Sequence, residues 1–184
     1  MTSTAGRLLI AEPMLGDPNF ERTVVLVVEH SDEGAMGLVL NRPTDLAVAG
    51  ALPAWDHLAS EPAVLHVGGP VEERSGWCLA LRRPDVAEPE GFVPVLGDAG
   101  LVDLDQDPGS VEGWALALRL YAGYSGWGAG QLDAELAQGA WFVVDADPAD
   151  PFLEDSTDLW PRILARQPGP LSRLSLFPPH PSLN

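Results

Sequence analysis

The chain has 184 residues, 46% hydrophobic and 20% charged, enough apolar side chain for one sizeable core and too much for global disorder. Its 27 acidic residues face only 10 basic ones, every one an arginine, for a formal charge of −17. That balance argues against direct binding of nucleic acid or of an anionic membrane surface, because both are held by clustered cations, and here only Arg82 and Arg83 are adjacent. The longest apolar run, residues 23–28, is far too short to cross a bilayer. Glu12 and Pro13 interrupt the N-terminal stretch, which therefore reads as no secretory leader. The single cysteine, Cys78, has no internal partner, in keeping with a reducing compartment, so a cytoplasmic protein is expected.

In chain order, residues 7–11 read as a short strand stopped by Pro13. Residues 22–30 are a nearly continuous Val-rich run, expected to be a strand buried on both faces. Residues 32–36 supply a loop of about five residues, 37–41 the returning strand, and Pro43 ends the hairpin. Residues 44–59 form a short helix or an irregular segment broken by Pro53. Residues 63–67 and 76–82, joined by a tight turn at Gly68, Gly69 and Pro70, read as a second strand pair. Two further short strands, 92–96 and 101–104, flank a turn at 97–100.

A helix is predicted over 108–121. Asp107 suits its N-cap, Pro108 its first position, and Val111, Trp114, Ala115, Leu118 and Ala122 fall on one helical stripe. A second helix fits 131–138 with Gly139 as its C-terminal cap, followed by a strand at 140–144. Residues 157–166 read as a helix that Thr157 could cap, with Pro161 tolerated in its first turn. From residue 168 the Pro-rich tail is expected to be extended. Strand pairs first and helices later make a mixed α+β domain, with nothing to divide residues 1–184.

Few residues suggest chemistry. Residues 123–131 hold four glycines with Tyr124, Ser125 and Trp127. A nucleophile elbow needs a glycine two positions after the serine, and Trp127 stands there; the spacing of Gly126, Gly128 and Gly130 does not make a dinucleotide fingerprint either. The segment reads as a glycine-rich strand exit leading to a helix start at Gln131, where free N–H groups could meet an anion. His66, Ser125 and Asp98 form a triad on paper only, as any chain with four histidines would permit. Asp103, Asp105 and Asp107 open like a calcium loop, but Pro108 and Trp114 occupy the positions that need Gly and Glu. Six acids between Asp145 and Asp158 read as a solvated loop. No zinc-ligand spacing occurs, Cys78 sits in an apolar context as an inert thiol, and no metal or cofactor is implied. Arg22, Asn41 and Arg42 differ: they meet at the open end of the first hairpin, where their donors could gather an anionic ligand or an acidic partner segment.

Taken together, GRLLIAEPMLGDPNFERTVVLVVEHSDEGAMGLVLNRP, then HVGGPVE, then GYSGWGAGQLDAELAQGAWFVV resemble the YqgE/AlgH family over most of residues 6–145. The resemblance implies a coiled, partly barrel-like sheet with flanking helices in a cytoplasmic bacterial protein. The family carries a transcriptional-regulator label but no catalytic residues to transfer. The matching positions are Arg22, Asn41, Arg42, Gly68, Gly69, Tyr124, Gly126, Trp127 and Gln131; these, together with Ser125, are the candidate ligand- or partner-binding residues. The leading expectation is a non-catalytic, regulatory binding protein acting on a small molecule or protein partner. The rivals are a hydrolase using Ser125 and a direct DNA-binding regulator; the second lacks a basic footprint.

Overall fold

The computed structural model describes residues 2–178. In chain order the elements are β1 (Arg7–Ala11), β2 (Val24–Ser31), β3 (Gly34–Val39), β4 (Pro43–Ala47), α1 (Val48–Ala51), β5 (Val64–Val67), β6 (Val71–Arg82), β7 (Phe92–Leu96) and β8 (Ala99–Val102). There follow α2 (Pro108–Glu112), β9 (Ala115–Gly128), α3 (Gln131–Ala137), β10 (Trp141–Asp145), α4 (Leu159–Ala165) and α5 (Leu171–Leu174). Short 3-10 segments lie at Pro53–Leu58 and Asp150–Phe152.

The strands form one ten-stranded sheet in the order β10-β1-β2-β3-β9-β6-β8-β7, with β5 also lying along β9 and β4 along β5. All pairs are antiparallel except β5 with β9. The sheet curls into a half-barrel. Gly6, just before β1, packs so tightly on β7 that an added Cβ would lie 2.8 Å from the Val95 carbonyl oxygen.

Alternation explains the uninterrupted apolar runs. Leu8, Ile10, Leu26 and Leu38 point into one core with Leu159, Trp160, Ile163 and Leu164 of α4. Leu9, Val25, Val27 and Val39 point to the other face, against Trp127, Leu132 and Trp141. A strand covered on both faces needs no polar side. A third cluster, around Trp55, Phe92, Trp114, Leu118 and Leu120, fills the space beside β6, β8 and β9.

Four local expectations change. The first hairpin turns on two residues rather than about five, since Ser31 pairs with Gly34, His30 with Ala35 and Glu29 with Met36. Gly34 (φ 142°) permits this, because a Cβ there would sit 2.3 Å from the Trp127 carbonyl oxygen. The second strand pair does not pair with itself: β5 and β6 each bond to β9 instead.

The predicted helix at 108–121 survives only as α2, with Asp107 accepting from the Gly109 N–H at 3.1 Å as its cap. Beyond it the chain becomes β9, the strand shared by β3, β5 and β6. Helix propensity favours Ala and Leu by only tenths of a kcal/mol per residue, whereas a helix here would strand the backbone groups of three neighbours. Finally, the tail from residue 168 is not wholly extended. It forms α5, whose Leu171 and Leu174 pack on the core together with Phe177. Residues 179–184 of that expectation lie outside the described residues.

Candidate functional site

The open end of the β2–β3 hairpin is organised by one buried side chain. Asn41 is 5% exposed. Its Oδ1 accepts from the Val24 N–H at 2.9 Å, and its Nδ2 donates to the Arg22 carbonyl at 2.9 Å. This holds Arg22 at φ 53°, a left-handed conformation that costs a non-glycine residue about 1 kcal/mol or more.

The Arg22 guanidinium is placed from two sides. Its Cζ lies 4.0 Å above the Trp160 ring, and its Nη1 donates to the Phe177 carbonyl at 3.0 Å. Burial lowers its pKa from the usual arginine value, opposed by the nearby charges of Glu21 and Asp158; it stays cationic. Arg42 Nη2 donates to the Glu21 carbonyl at 2.5 Å. These residues, with Thr157, Asp158 and Pro161, line a cavity of about 410 Å³. Among the described residues the arginine–carboxylate pairs are Arg7–Asp145, Arg82–Asp98, Arg162–Asp158 and Arg166–Asp150. Among the described residues neither cavity arginine has such a partner, and each has one guanidinium nitrogen engaged by a main-chain carbonyl.

The remaining candidates lie elsewhere. Gly68 and Gly69 pack main chain to main chain on β9: the Gly68 N–H donates to the Ala122 carbonyl at 2.9 Å, and a Cβ on Gly69 would lie 2.3 Å from the Tyr124 carbonyl. Gly126 pairs with Met36 and Tyr124 stacks edge-on with Trp77 at 5.7 Å. Residues 123–128 are therefore the last part of β9 itself, and the strand exit begins only after Gly128. Trp127 Nε1 and Trp141 Nε1 both donate to Glu135 Oε2, at 2.9 and 2.8 Å. Gln131 Oε1 accepts from the Gly128 N–H at 3.1 Å, so that side chain fills the start of α3. None of these residues lines the Arg22 cavity.

The paper triad is not assembled. Ser125 is fully buried and its hydroxyl donates to the Gly68 carbonyl at 3.1 Å. Asp98 pairs with Arg82. His66 is fully buried, with Nε2 3.1 Å from Ser156 Oγ and 3.4 Å from Arg119 Nη1. Burial, reinforced by the Arg119 charge, pushes the His66 pKa down to about 4. A base that weak and a hydroxyl that engaged do not make a nucleophile, and the hydrolase reading is withdrawn.

The acidic segment 145–158 is not all solvated: Asp150, 3% exposed, holds Arg166 in a two-pronged pair, Oδ1 accepting from Nη1 at 2.8 Å and Oδ2 from Nη2 at 2.5 Å. Cys78 is buried and its thiol is pushed to high pKa by desolvation. Among the described residues no group of three or more His, Cys, Asp or Glu is gathered for a metal. Sequence reasoning missed Trp160, Thr157 and Asp158 as cavity walls, and missed Arg119 altogether. Its one signal was a lone charge inside the apolar stretch 115–122.

Fold and site together define a class: a small mixed α+β domain on a half-barrel sheet, closed by short helices, with a donor-lined cavity at one hairpin end. The chain belongs to the AlgH-like family, whose model matches residues 8–172. It is 45% identical over 187 residues to a UPF0301 protein of Streptomyces coelicolor, covering all of this chain and 97% of that one. It is 46% identical over 176 residues to a UPF0301 protein of Mycolicibacterium vanbaalenii, covering 95% and 88%. A crystal structure of a Corynebacterium diphtheriae protein superposes with a TM-score of 0.91 at 31% identity, covering 96% and 94% of the two chains. The solution structure of AlgH from Pseudomonas aeruginosa gives 0.69 at 34% identity, covering 98% of both. The motif resemblance is thereby confirmed, as is the mixed, partly barrel-like fold. No helix among the described residues is long and apolar enough to cross a membrane.

Proposed function

We propose that this protein is a non-catalytic regulatory binding protein, and that the Arg22–Asn41–Arg42 cavity receives the oxyanion of a small ligand or of an acidic segment on a protein partner. The observation that carries this reading is the pair of arginines opening on one cavity with no carboxylate at ion-pair distance among the described residues, the charges of Glu21 and Asp158 on its wall lying farther off, in a chain where acids outnumber arginines so heavily. Arginine presents a planar fork of donors that matches carboxylate and phosphate. Arg22 is already oriented by Trp160 and Phe177, so little rotamer freedom remains to be lost on binding. Holding a non-glycine residue in a left-handed conformation beside a cavity is the kind of strain found where a side chain must be aimed. The −17 charge elsewhere repels extended polyanions, which favours a compact anion and disfavours DNA. Any role in transcription would then run through a ligand or protein partner.

The test is an NMR titration at low ionic strength with inorganic phosphate, citrate and a short acidic peptide. Shifts should concentrate on Arg22, Asn41, Arg42 and Trp160. Arg42→Gln should weaken binding by about 10-fold, the loss expected for one charge-assisted contact. Citrate or phosphate acting alone identifies a small-ligand site; the peptide acting alone identifies a partner site. No shift at these residues with any of the three probes would remove the proposal.

A further inference from the structure

We infer that His66 and Arg119 are positioning residues for this cavity, buried behind it and holding the segment that carries Thr157, Asp158 and Trp160. The inference rests on the binding reading above for its purpose, but not for its geometry. Arg119 lies in the middle of β9, is 1% exposed, and has no carboxylate within 4.0 Å among the described residues. Its Nη2 donates to the carbonyls of Glu61 and Leu153, both at 3.2 Å, and its Nη1 to that of Pro62 at 3.5 Å. A buried guanidinium with no carboxylate at ion-pair distance, favoured only by the more distant Glu61 charge, is costly, and an apolar residue would fill the space more cheaply. What the guanidinium does, and an apolar residue cannot, is tie β9 to two irregular segments at once.

His66 completes the tie. Arg119 can only donate, so His66 Nε2 is an acceptor and the ring proton sits on Nδ1, which faces the Val64 carbonyl at 3.4 Å. The Ser156 hydroxyl donates to the same Nε2. Ser156 is followed directly by Thr157 and Asp158, two cavity walls. On the other side β5 is bonded to the opposite wall: His66 pairs with Pro43, and the Val67 N–H donates to the Arg42 carbonyl at 2.8 Å. One residue therefore reaches Arg42 through its strand and Asp158 through its ring. The segment between the Asp150–Phe152 turn and α4 has no strand or helix of its own, so these buried contacts are what place it. The groups facing the imidazole are Arg119 and Tyr121 from β9 and Ser156 from this segment. Protonation would remove the acceptor and set a second cation against Arg119, which is why the ring is held neutral.

The test compares His66→Phe, Arg119→Met and Ser156→Ala with a remote core variant, Leu132→Ala, by hydrogen exchange and by phosphate binding of the full chain. In the first three, amides of residues 153–161 should exchange at least about 10-fold faster while β1 and β2 keep their protection, and phosphate affinity should fall by about 10-fold. Leu132→Ala, which destabilises without touching this segment, should leave both readouts at wild-type values. Ser156→Ala removes one hydroxyl and no packing, so it remains readable if the larger changes prevent folding. Unchanged exchange over 153–161 in a folded Ser156→Ala protein overturns the positioning role. Wild-type protein that ignores phosphate, citrate and peptide alike counts against the binding reading alone, and exchange then decides the positioning by itself.

Discussion

Asn41 reaches across the mouth of the first hairpin to donate to the carbonyl of Arg22 at 2.9 Å, and Arg22 is one of two non-glycine residues at positive φ among the described residues. The relationship couples stability to function with opposite signs. Arg22→Gly relieves the left-handed strain and should raise stability by about 1 kcal/mol in urea unfolding, while abolishing anion binding. Asn41→Ala should do the reverse for stability. It leaves the Val24 N–H buried and unpaired, for a loss of about 2 kcal/mol. An Arg22→Gly protein that is less stable than wild type would show that the cation–π and Phe177 contacts outweigh the strain.

Glu135 is the shared acceptor of two indoles. Glu135→Ala leaves both N–H groups without a protein partner and should cost about 2 kcal/mol, read by thermal unfolding. The near-ultraviolet circular dichroism of Trp127 and Trp141 should weaken with it. Glu135→Gln keeps an oxygen in place and should cost less than half as much.

Acid should act through His66. Its folded pKa, about 4, lies below its ordinary 6.5, so between these values the unfolded chain binds the extra proton. Stability is therefore fully present above pH 6.5 and is lost as pH falls through 4, by on the order of 3 kcal/mol. His66→Phe lacks this component. The difference between the two urea-unfolding profiles should be flat above pH 7 and slope below 6, with the carboxylate contributions common to both. Parallel profiles would mean that the imidazole is not held neutral.

Tyr121 is buried, yet its hydroxyl has no hydrogen-bond partner among the described residues, as is true of Arg119 Nε. Tyr121→Phe should accordingly be neutral to within about 0.5 kcal/mol, or stabilising. A loss above about 1 kcal/mol would reveal a hydrogen-bonded guest at that hydroxyl.

Period and punctuation made much of the fold legible. The Val-rich run of β2, the strand before Pro13, the short strand at residues 92–96 and the α3 helix closed by Gly139 lie where local patterning put them, while the strand expected at 101–104 starts two residues earlier, at Ala99, after a tighter turn. β9 did not, because Val111, Trp114, Ala115 and Leu118 satisfy a helical stripe while Leu118 and Leu120 also alternate with Arg119 and Tyr121. Only the neighbours decide between these patterns, and β3, β5 and β6 are distant in sequence. The same limit governed the site. Arg22, Asn41 and Arg42 share a hairpin end and were found together; Trp160 and Phe177 reach them from across the chain, as Ser156 reaches His66, and no spacing rule links such positions. The glycines of 123–128 were visible as a cluster, but the reason for them, close main-chain contact with Gly68 and Gly69, belongs to three dimensions.

The pairing of β1 with β10 joins Leu9 to Val143, and the Trp160 indole donates to the Ala11 carbonyl at 2.9 Å. β1 thus waits for a segment 149 residues downstream before both of its faces are sealed. Nascent chains should stay protease-sensitive until α4 has left the exit tunnel, and refolding should be slow for so small a protein, since its decisive contacts are separated by most of its length.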